Sequence, residues 1–334
     1  MSELALGDAR TATLVRPVAR DTTARRVLHV NDCAFTAHNL LREAQARGLP
    51  WSFMPLAASG RTWDGPAARA QRAVLGAAWL AKLSARASRA DLLHVHFATV
   101  YQHTRFVPRR FALHCHGTDV RTLQYEPRYQ PIIHTALSKA QAVFYSTPDL
   151  AEHVLPHRRD AVYLPVPIDT ARLPAWQPAR PLVLFASRWD DSKGLDRQLA
   201  IAERLVTAVG PDAQVAGLDW GSAAPAAGQA GVELLPRRSH DEYLQLLAGA
   251  SVVVGQSSGI LAASELEALA IGVPVVMTAD LSLYAAAVPT GGGTSANSST
   301  PPVLERATTS PDDVVQAVQA ALADPQAAAQ QQGG

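Results

Sequence analysis

Short apolar runs of strand length alternate with segments of helical spacing along most of the chain. Residues 27–30 form the first apolar run. A polar loop, 31–36, follows, and a helical pattern over 37–47 is ended by Gly48. Residues 51–56 read as a second strand and 67–87 as a long Ala-rich helix. Residues 91–97 and 111–119 are strands that end in polar residues. Strands at 142–146 and 161–164 flank a helix over 149–155. Segment 170–181 then carries three prolines and no period, and is expected to be a linker.

The alternation restarts after it. A strand at 182–186 precedes a helix over 195–209, closed by Gly210, and a strand at 214–218. An Ala/Gly loop, 222–231, separates this from a strand at 232–235 and a helix over 240–248 capped by Ser239. A β-branched run at 251–254 leads through small residues into a helix over 260–271. Gly272 and Pro274 stop that helix before a strand at 275–277. Residues 288–302 are a Gly/Ser/Thr-rich loop. Ser310-Pro311-Asp312-Asp313 is a helix start with its cap, its proline and its first-turn acids in place, and that helix ends near Asp324. Residues 1–25 and 326–334 are expected to be loose tails. The pattern thus predicts two α/β units with parallel, doubly wound sheets, 26–169 and 182–325, with a cleft between them.

Composition narrows the class. The 334 residues, 48% hydrophobic, suffice for two domains. A net charge of +1 offers no broad surface for nucleic acid. Cys33 and Cys115 make no disulfide framework and suit a reducing cytoplasm. No apolar run reaches the roughly 18 residues of a spanning helix, and the N-terminus lacks a signal-peptide core. The expectation is a cytoplasmic protein, with room for peripheral membrane association.

Candidate chemistry gathers at predicted strand ends. The first strand is not followed by Gly-x-Gly-x-x-Gly, which argues against a dehydrogenase-type dinucleotide site, and a P-loop is absent. Arg188 and Lys193 lie on the loop after strand 182–186, where two cations suit a phosphate or diphosphate; the plain alternative is a pair of solvated surface cations. The N-terminus of helix 260–271 offers free backbone N–H groups to an anion. Glu267, inside that helix, reads on composition as a solvated carboxylate. His94 and His96 share one strand face, as do His114 and His116. Four histidines invite zinc, but neither cysteine is paired and no third ligand has helical spacing, so packing is the plainer reading. His116 ends its strand with Asp119 three residues on, an imidazole and an acid placed to meet a substrate oxygen. Gly255-Gln-Ser-Ser-Gly259 fits a hydrolase elbow, but no histidine follows it in the chain.

Several motifs, in order between about Val27 and Asp324, resemble the retaining, nucleotide-sugar-dependent glycosyltransferases of family 4. Asp91 to His96 looks like that family's Asp-hydrophobic-hydrophobic-His-x-His strand, and His116-Gly117-x-Asp119 like its His-Gly-x-Asp loop. Leu164-Pro-Val-Pro-Ile-Asp169 is similar to its Pro-Asn-Gly-Val-Asp segment. Ser187 to Gly194 looks like Gly-Arg-x4-Lys-Gly with Ser187 in the first place, and Glu267 to Val276 matches the second half of its Glu-x7-Glu signature.

The resemblance implies two facing Rossmann-like domains of the glycosyltransferase B type. It also implies transfer of a sugar from a nucleoside diphosphate to an unidentified acceptor hydroxyl with retained configuration, without cofactor or metal. Arg188, Lys193 and the amides of Ile260, Leu261 and Ala262 would hold the diphosphate, and Glu267 the ribose. Pro236 and Arg237 would border the base, and His116 would contact the sugar. The acceptor would be a small molecule, a glycan or a lipid-linked group. The sequence departs from the family where its first Glu should stand: that position is Gly259, which has no side chain to receive sugar hydroxyls. The alternative is therefore a catalytically degenerate nucleotide-sugar-binding or partner subunit of the same fold, with an epimerase or hydrolase as a weaker third reading.

Overall fold

The computed structural model describes residues 25–56, 65–287, 303–306 and 308–332. Most of the expected N-terminal tail and the whole of loop 288–302 lie outside the described residues. Among the described residues, twelve parallel strands form two six-stranded sheets. The first has the order β2-β1-β3-β4-β5-β6 and is built from β1 (Val27–Val30), β2 (Ser52–Met54), β3 (Leu92–His96), β4 (Phe111–Cys115), β5 (Ala142–Tyr145) and β6 (Val162–Tyr163). The second, β12-β11-β10-β7-β8-β9, is built from β7 (Leu182–Phe185), β8 (Gln214–Leu218), β9 (Glu233–Leu235), β10 (Val252–Val254), β11 (Val275–Ala279) and β12 (Val303–Glu305). These are the two parallel α/β sheets the alternation predicts.

Strand pleating divides the first sheet sharply. Leu28, Val30, Leu93, Val95, Leu113 and Cys115 point into one aliphatic cluster. The residues between them, His29, His94, His96 and His114, fall on the opposite face because side chains alternate along a strand. The register pairs His29 with His94 and His96 with His114, so the imidazoles become neighbours across three strands. The second sheet is apolar on both faces, with separate clusters around Leu184 and Phe185. That is the usual state of a parallel sheet covered by helices.

The helices that position the site are α1 (Thr36–Ala46), α2 (Gly65–Ala87), α3 (Gln130–Lys139), α4 (Leu195–Val209), α5 (Ala224–Gln229), α6 (His240–Ala248), α7 (Ala263–Ile271), α8 (Leu281–Ala287), α9 (Pro311–Ala323) and α10 (Pro325–Gln332). Helix α4 is closed by Gly210, and α6 has a full capping box between Ser239 and Glu242. Several segments differ from the sequence expectation. Helix α3 is not evident in the hydrophobic pattern, since its core contacts are few: Ile133, Ala136 and Leu137. Helix α5 replaces the expected Ala/Gly loop; its alanines favour helix, and Pro225 sits in the first turn, where its missing N–H costs nothing. The expected loose tail 326–334 is instead helical as far as Gln332. The Gln332 side chain accepts from Val275 N at 3.0 Å and donates to Val275 O at 3.4 Å, which fixes the helix to β11. Helix α7 begins at Ala263, three residues later than expected, because Gly259 is drawn into a bridge with Ala279.

Segment 170–181 opens with a 3-10 turn, Thr170–Arg172, and then lies along the second unit. Trp176 Nε1 donates to Ala250 O at 2.8 Å, and Gln177 N to Ala248 O at 2.9 Å. No helix among the described residues is long and apolar enough to cross a membrane.

Candidate functional site

The loop after β7 carries the first group of predicted residues. Asp190 caps a 3-10 turn, Asp191–Lys193, by accepting from Ser192 N at 3.1 Å. Gly194 then has φ 74, and a Cβ there would stand 2.6 Å from the Ser257 carbonyl carbon. Only glycine allows this approach. Ser257 N donates to Lys193 O at 2.9 Å, so the loop is clamped onto the turn after β10. Lys193 is half-buried by this packing. Burial lowers its pKa, the Glu265 carboxylate pulls it back up, and Arg188 and Arg121 push it down. Arg121 belongs to the first unit, so cations of both units converge on this point. Its own guanidinium grips Asp149 at 2.5 Å.

Arg188 donates to Ser192 Oγ at 3.3 Å and stands 3.7 Å from Asp190. Its guanidinium lies 5.8 Å from the centre of the Trp220 ring, and that of Arg237 lies 5.0 Å from the same centre. The structure therefore brings Arg188 and Arg237 together on one indole. Pro236 adjoins Arg237, just beyond the end of β9.

Helix α7 departs from expectation at its start. Of the three amides expected to be free for an anion, two are engaged: Leu261 N donates to Tyr284 OH at 2.6 Å, and Ala262 N to Glu265 Oε2 at 2.9 Å. Glu265 also accepts from Gln256 N at 3.0 Å and is fully buried. It is a structural brace, with its carboxylate satisfied by two backbone donors. Ile260 accepts through its carbonyl from Gln256 Nε2 at 2.8 Å. Ser257, in the elbow-like sequence, is buried against the Lys193 loop.

Glu267 is not a solvated carboxylate. It is 4% exposed and lies 2.7 Å from His240 Nε2 through Oε1. Phe35, from the first unit, stacks on the His240 ring with centroids 3.7 Å apart at 11°. A small cavity borders the pair, lined by Asn39, Arg42, Asp169, Arg172, His240 and Glu267. Two ion pairs, Arg42 with Asp169 at 2.7 Å and Arg172 with Asp241 at 2.8 Å, line the same cavity. Gly259 has φ 95, and a Cβ there would meet Arg306 Cδ at 2.9 Å, so this backbone position accommodates glycine and little else.

At the edge of the first sheet, His116 is partly buried, and its Nε2 lies 3.1 Å from His96 Nδ1. Burial, with His114 beside it, holds its pKa well below the ordinary imidazole range. Asp119 corrects the sequence expectation. It accepts from Ala98 N at 2.8 Å, Gly117 N at 2.9 Å and His116 N at 3.0 Å, and is fully buried. Burial raises its pKa against these backbone donors. The carboxylate shapes the 116–119 turn, whereas the His116 ring is oriented by His96.

The sequence reading missed His29, Phe35, Arg121, Trp220 and His240. His240 was visible as the first residue after the Ser239 cap, but nothing in its spacing pointed to Glu267, 27 positions on. Phe35, Arg121 and Trp220 sit on loops or short turns whose placement follows from tertiary packing.

No family model matches the chain, and no curated protein sequence matches it. Solved structures do share its architecture. Anabaena HepE, solved with UDP and glucose, aligns over 92% of this chain and 93% of its own with 12% identity and a TM-score of 0.63. Staphylococcus aureus TarM, solved with Fondaparinux, alpha-GlcNAc-glycerol and UDP, aligns over 77% of this chain and 53% of its own with 14% identity and a TM-score of 0.56. A UDP-N-acetylglucosamine 2-epimerase aligns over 93% and 90% with 12% identity and a TM-score of 0.52. At such identities the likeness establishes the fold: two Rossmann-like parallel-sheet domains in the glycosyltransferase B arrangement.

Proposed function

We propose that the protein transfers a sugar from a nucleoside-diphosphate sugar to an acceptor hydroxyl with retained configuration, as its resemblance to family 4 implies. One observation carries this reading. Lys193 is a half-buried cation held by the Gly194–Ser257 contact, with Arg188 and Arg121 in electrostatic reach. A half-buried amine with two guanidiniums nearby suits an anionic ligand. In this reading Arg188 and Lys193 neutralise the departing diphosphate without a metal, an electrostatic form of catalysis. With the Leu261 and Ala262 amides engaged, the two side chains carry that task. Glu267 accepts the ribose hydroxyls through Oε2, which has no hydrogen bond among the described residues. Trp220 and Arg237 border the base beside Pro236. His116 meets the transferred sugar and Asp119 holds its turn. The acceptor, a small molecule, a glycan or a lipid-linked group, approaches from the first unit, and the setting is the cytoplasm.

Calorimetric titration with UDP and GDP tests the site. Replacing Lys193 by Ala removes a charge-assisted contact of about 1.5–3 kcal/mol, so nucleotide affinity should fall about 10- to 150-fold. Unchanged affinity would remove the diphosphate assignment. A panel of nucleotide sugars, followed for release of nucleoside diphosphate, then tests turnover.

Gly259, which offers no side chain where family 4 has its first Glu and whose φ of 95 suits glycine, favours a second reading, a donor-binding subunit that does not transfer. Tight binding with no turnover for any donor would select it. Conversion of a free nucleotide sugar to its epimer would select an epimerase.

A further inference from the structure

Five histidines, His29, His94, His96, His114 and His116, gather at one face of the first sheet, and sugar transfer needs only the outermost. Parallel sheets covered by helices are ordinarily aliphatic on both faces. Here one face of β1 and β3 is given to His29, His94 and His96, all buried, while Leu28, Val30, Leu93 and Val95 fill the other. One nitrogen from each of His29, His94 and His96 lies within 4.8 Å of the other two. The Nε2 atom of His94 is buried with no hydrogen-bond partner. A buried polar atom left unpaired typically costs about 1–3 kcal/mol, so its presence among the other imidazole nitrogens points to something the cluster is built to hold.

We propose that His29, His94 and His96 form a binding site for one transition-metal ion, of which Zn2+ is the chemical type. The donor set is all imidazole, which suits Zn2+, Co2+ and Cu2+ and not Mg2+ or Ca2+. His29 Nδ1 and His96 Nε2 are 3.0 Å apart. The edge of a zinc–imidazole tetrahedron, with bonds of about 2.0–2.1 Å, is about 3.4 Å, so small ring rotations suffice. His96 already has the outer partner a metal-bound histidine wants. With Nε2 on the ion, its Nδ1–H donates to His116 Nε2 at 3.1 Å, which fixes the tautomer and the ring. Trp51 packs against His29 at 5.2 Å and Phe144 against His94 at 5.9 Å, giving the apolar walls that hold ligands in place. The ion sits in the body of the first unit, away from the diphosphate side chains of the second. It braces the sheet and, through His96, sets how His116 faces the cleft.

The test uses the full chain without a histidine tag. The protein is stripped with chelator and titrated with Co2+, with equilibrium dialysis for stoichiometry and visible absorption for coordination. One equivalent should bind with the intense ligand-field bands of a four-coordinate ion, and X-ray absorption of the Zn2+ form should show imidazole scatterers at about 2.0–2.1 Å. His29→Phe and His94→Leu should each weaken binding by more than about a hundredfold, beyond the loss usual for an outer-shell partner. His157→Ala, in the separate His134–His157 ring pair, should bind as the wild type does. Circular dichroism confirms that each variant is folded. Should a variant not fold, the wild-type spectra decide alone. Absence of stoichiometric Co2+, a six-coordinate spectrum, or equal binding by folded His29→Phe and His94→Leu overturns the site.

Discussion

The two sheets end their strands at the same topological position and fill it in opposite ways. At the first edge five imidazoles stack, and burial lowers the pKa of every one of them. The imidazoles there are polar but uncharged. At the second edge Glu265 and Glu267 are also buried and Lys193 is half-buried, yet each stands beside an opposite charge or a polar donor. Parallel strands deliver both sets to a cleft edge, so topology does not decide what the edge can bind. Loop packing does: the 116–119 turn uses its acid to hold backbone amides, and the 187–194 loop, clamped by Gly194, carries Arg188 beside Asp190 and Lys193 near Glu265. Under the proposed function the contrast is chemical. A diphosphate leaves from the charged edge, and neutral hydroxyls are met by neutral imidazoles.

Acid should break the first edge with the largest effect of any perturbation considered. The folded pKa values of His29 and His114 are each lowered to about 4 by burial. Above an unfolded value of about 6.5 both states are neutral, and stability is unaffected. Below it the unfolded chain takes protons that the fold refuses. Stability is therefore lost as pH falls from about 6.5 towards 4, by about 1.4 kcal/mol per pH unit for each group, or about 3 kcal/mol each in all. Urea midpoints across this range, with chelator present, measure it. His114→Phe should flatten the slope by one proton's worth. An unchanged slope in that variant would mean the charge contrast between the edges is not what sets acid sensitivity.

Within the second edge, Glu265 and Glu267 separate structure from binding. Glu265→Ala strips a buried amide, Gln256 N, and a part-buried one, Ala262 N, of their acceptor and should cost about 3 kcal/mol in chemical denaturation. Glu267→Gln keeps an oxygen for His240 and should cost less than about 1 kcal/mol in stability, while nucleotide affinity falls about tenfold through loss of a charged acceptor. A large stability loss in Glu267→Gln, with affinity intact, would make Glu267 a brace like its neighbour.

Much of this contrast was legible before the structure. The strands, Arg188, Lys193 and the stop at Gly272 follow from local rules of apolar runs, loops at strand ends and left-handed glycine caps. The roles of Asp119 and Glu265 did not follow, because a carboxylate near a turn reads the same in sequence whether it faces a substrate or accepts from backbone amides. His29 was hidden inside an apolar run, and only the register of β1 against β3 reveals it as His94's neighbour. The solvated reading of Glu267 failed for the same reason: His240 and Phe35 arrive from distant segments, one of them in the other unit.

The smallest predicted effect probes where the two edges touch. Phe35 has φ 57, a left-handed backbone that costs a bulky residue about 1 kcal/mol or more. Its ring on His240 returns about 0.5–1.5 kcal/mol beyond simple burial. Phe35→Ala loses the stack and keeps most of the strain; Phe35→Gly loses the stack and relieves it. Both should weaken protection of the α6 amides in hydrogen exchange, since α6 starts at His240. The glycine variant should nonetheless be no less stable to urea than the alanine variant, despite the entropy of a glycine in the unfolded chain. A glycine variant clearly less stable than the alanine one would show that backbone strain at Phe35 is not being held by the His240 contact, and that the two edges meet without mutual constraint.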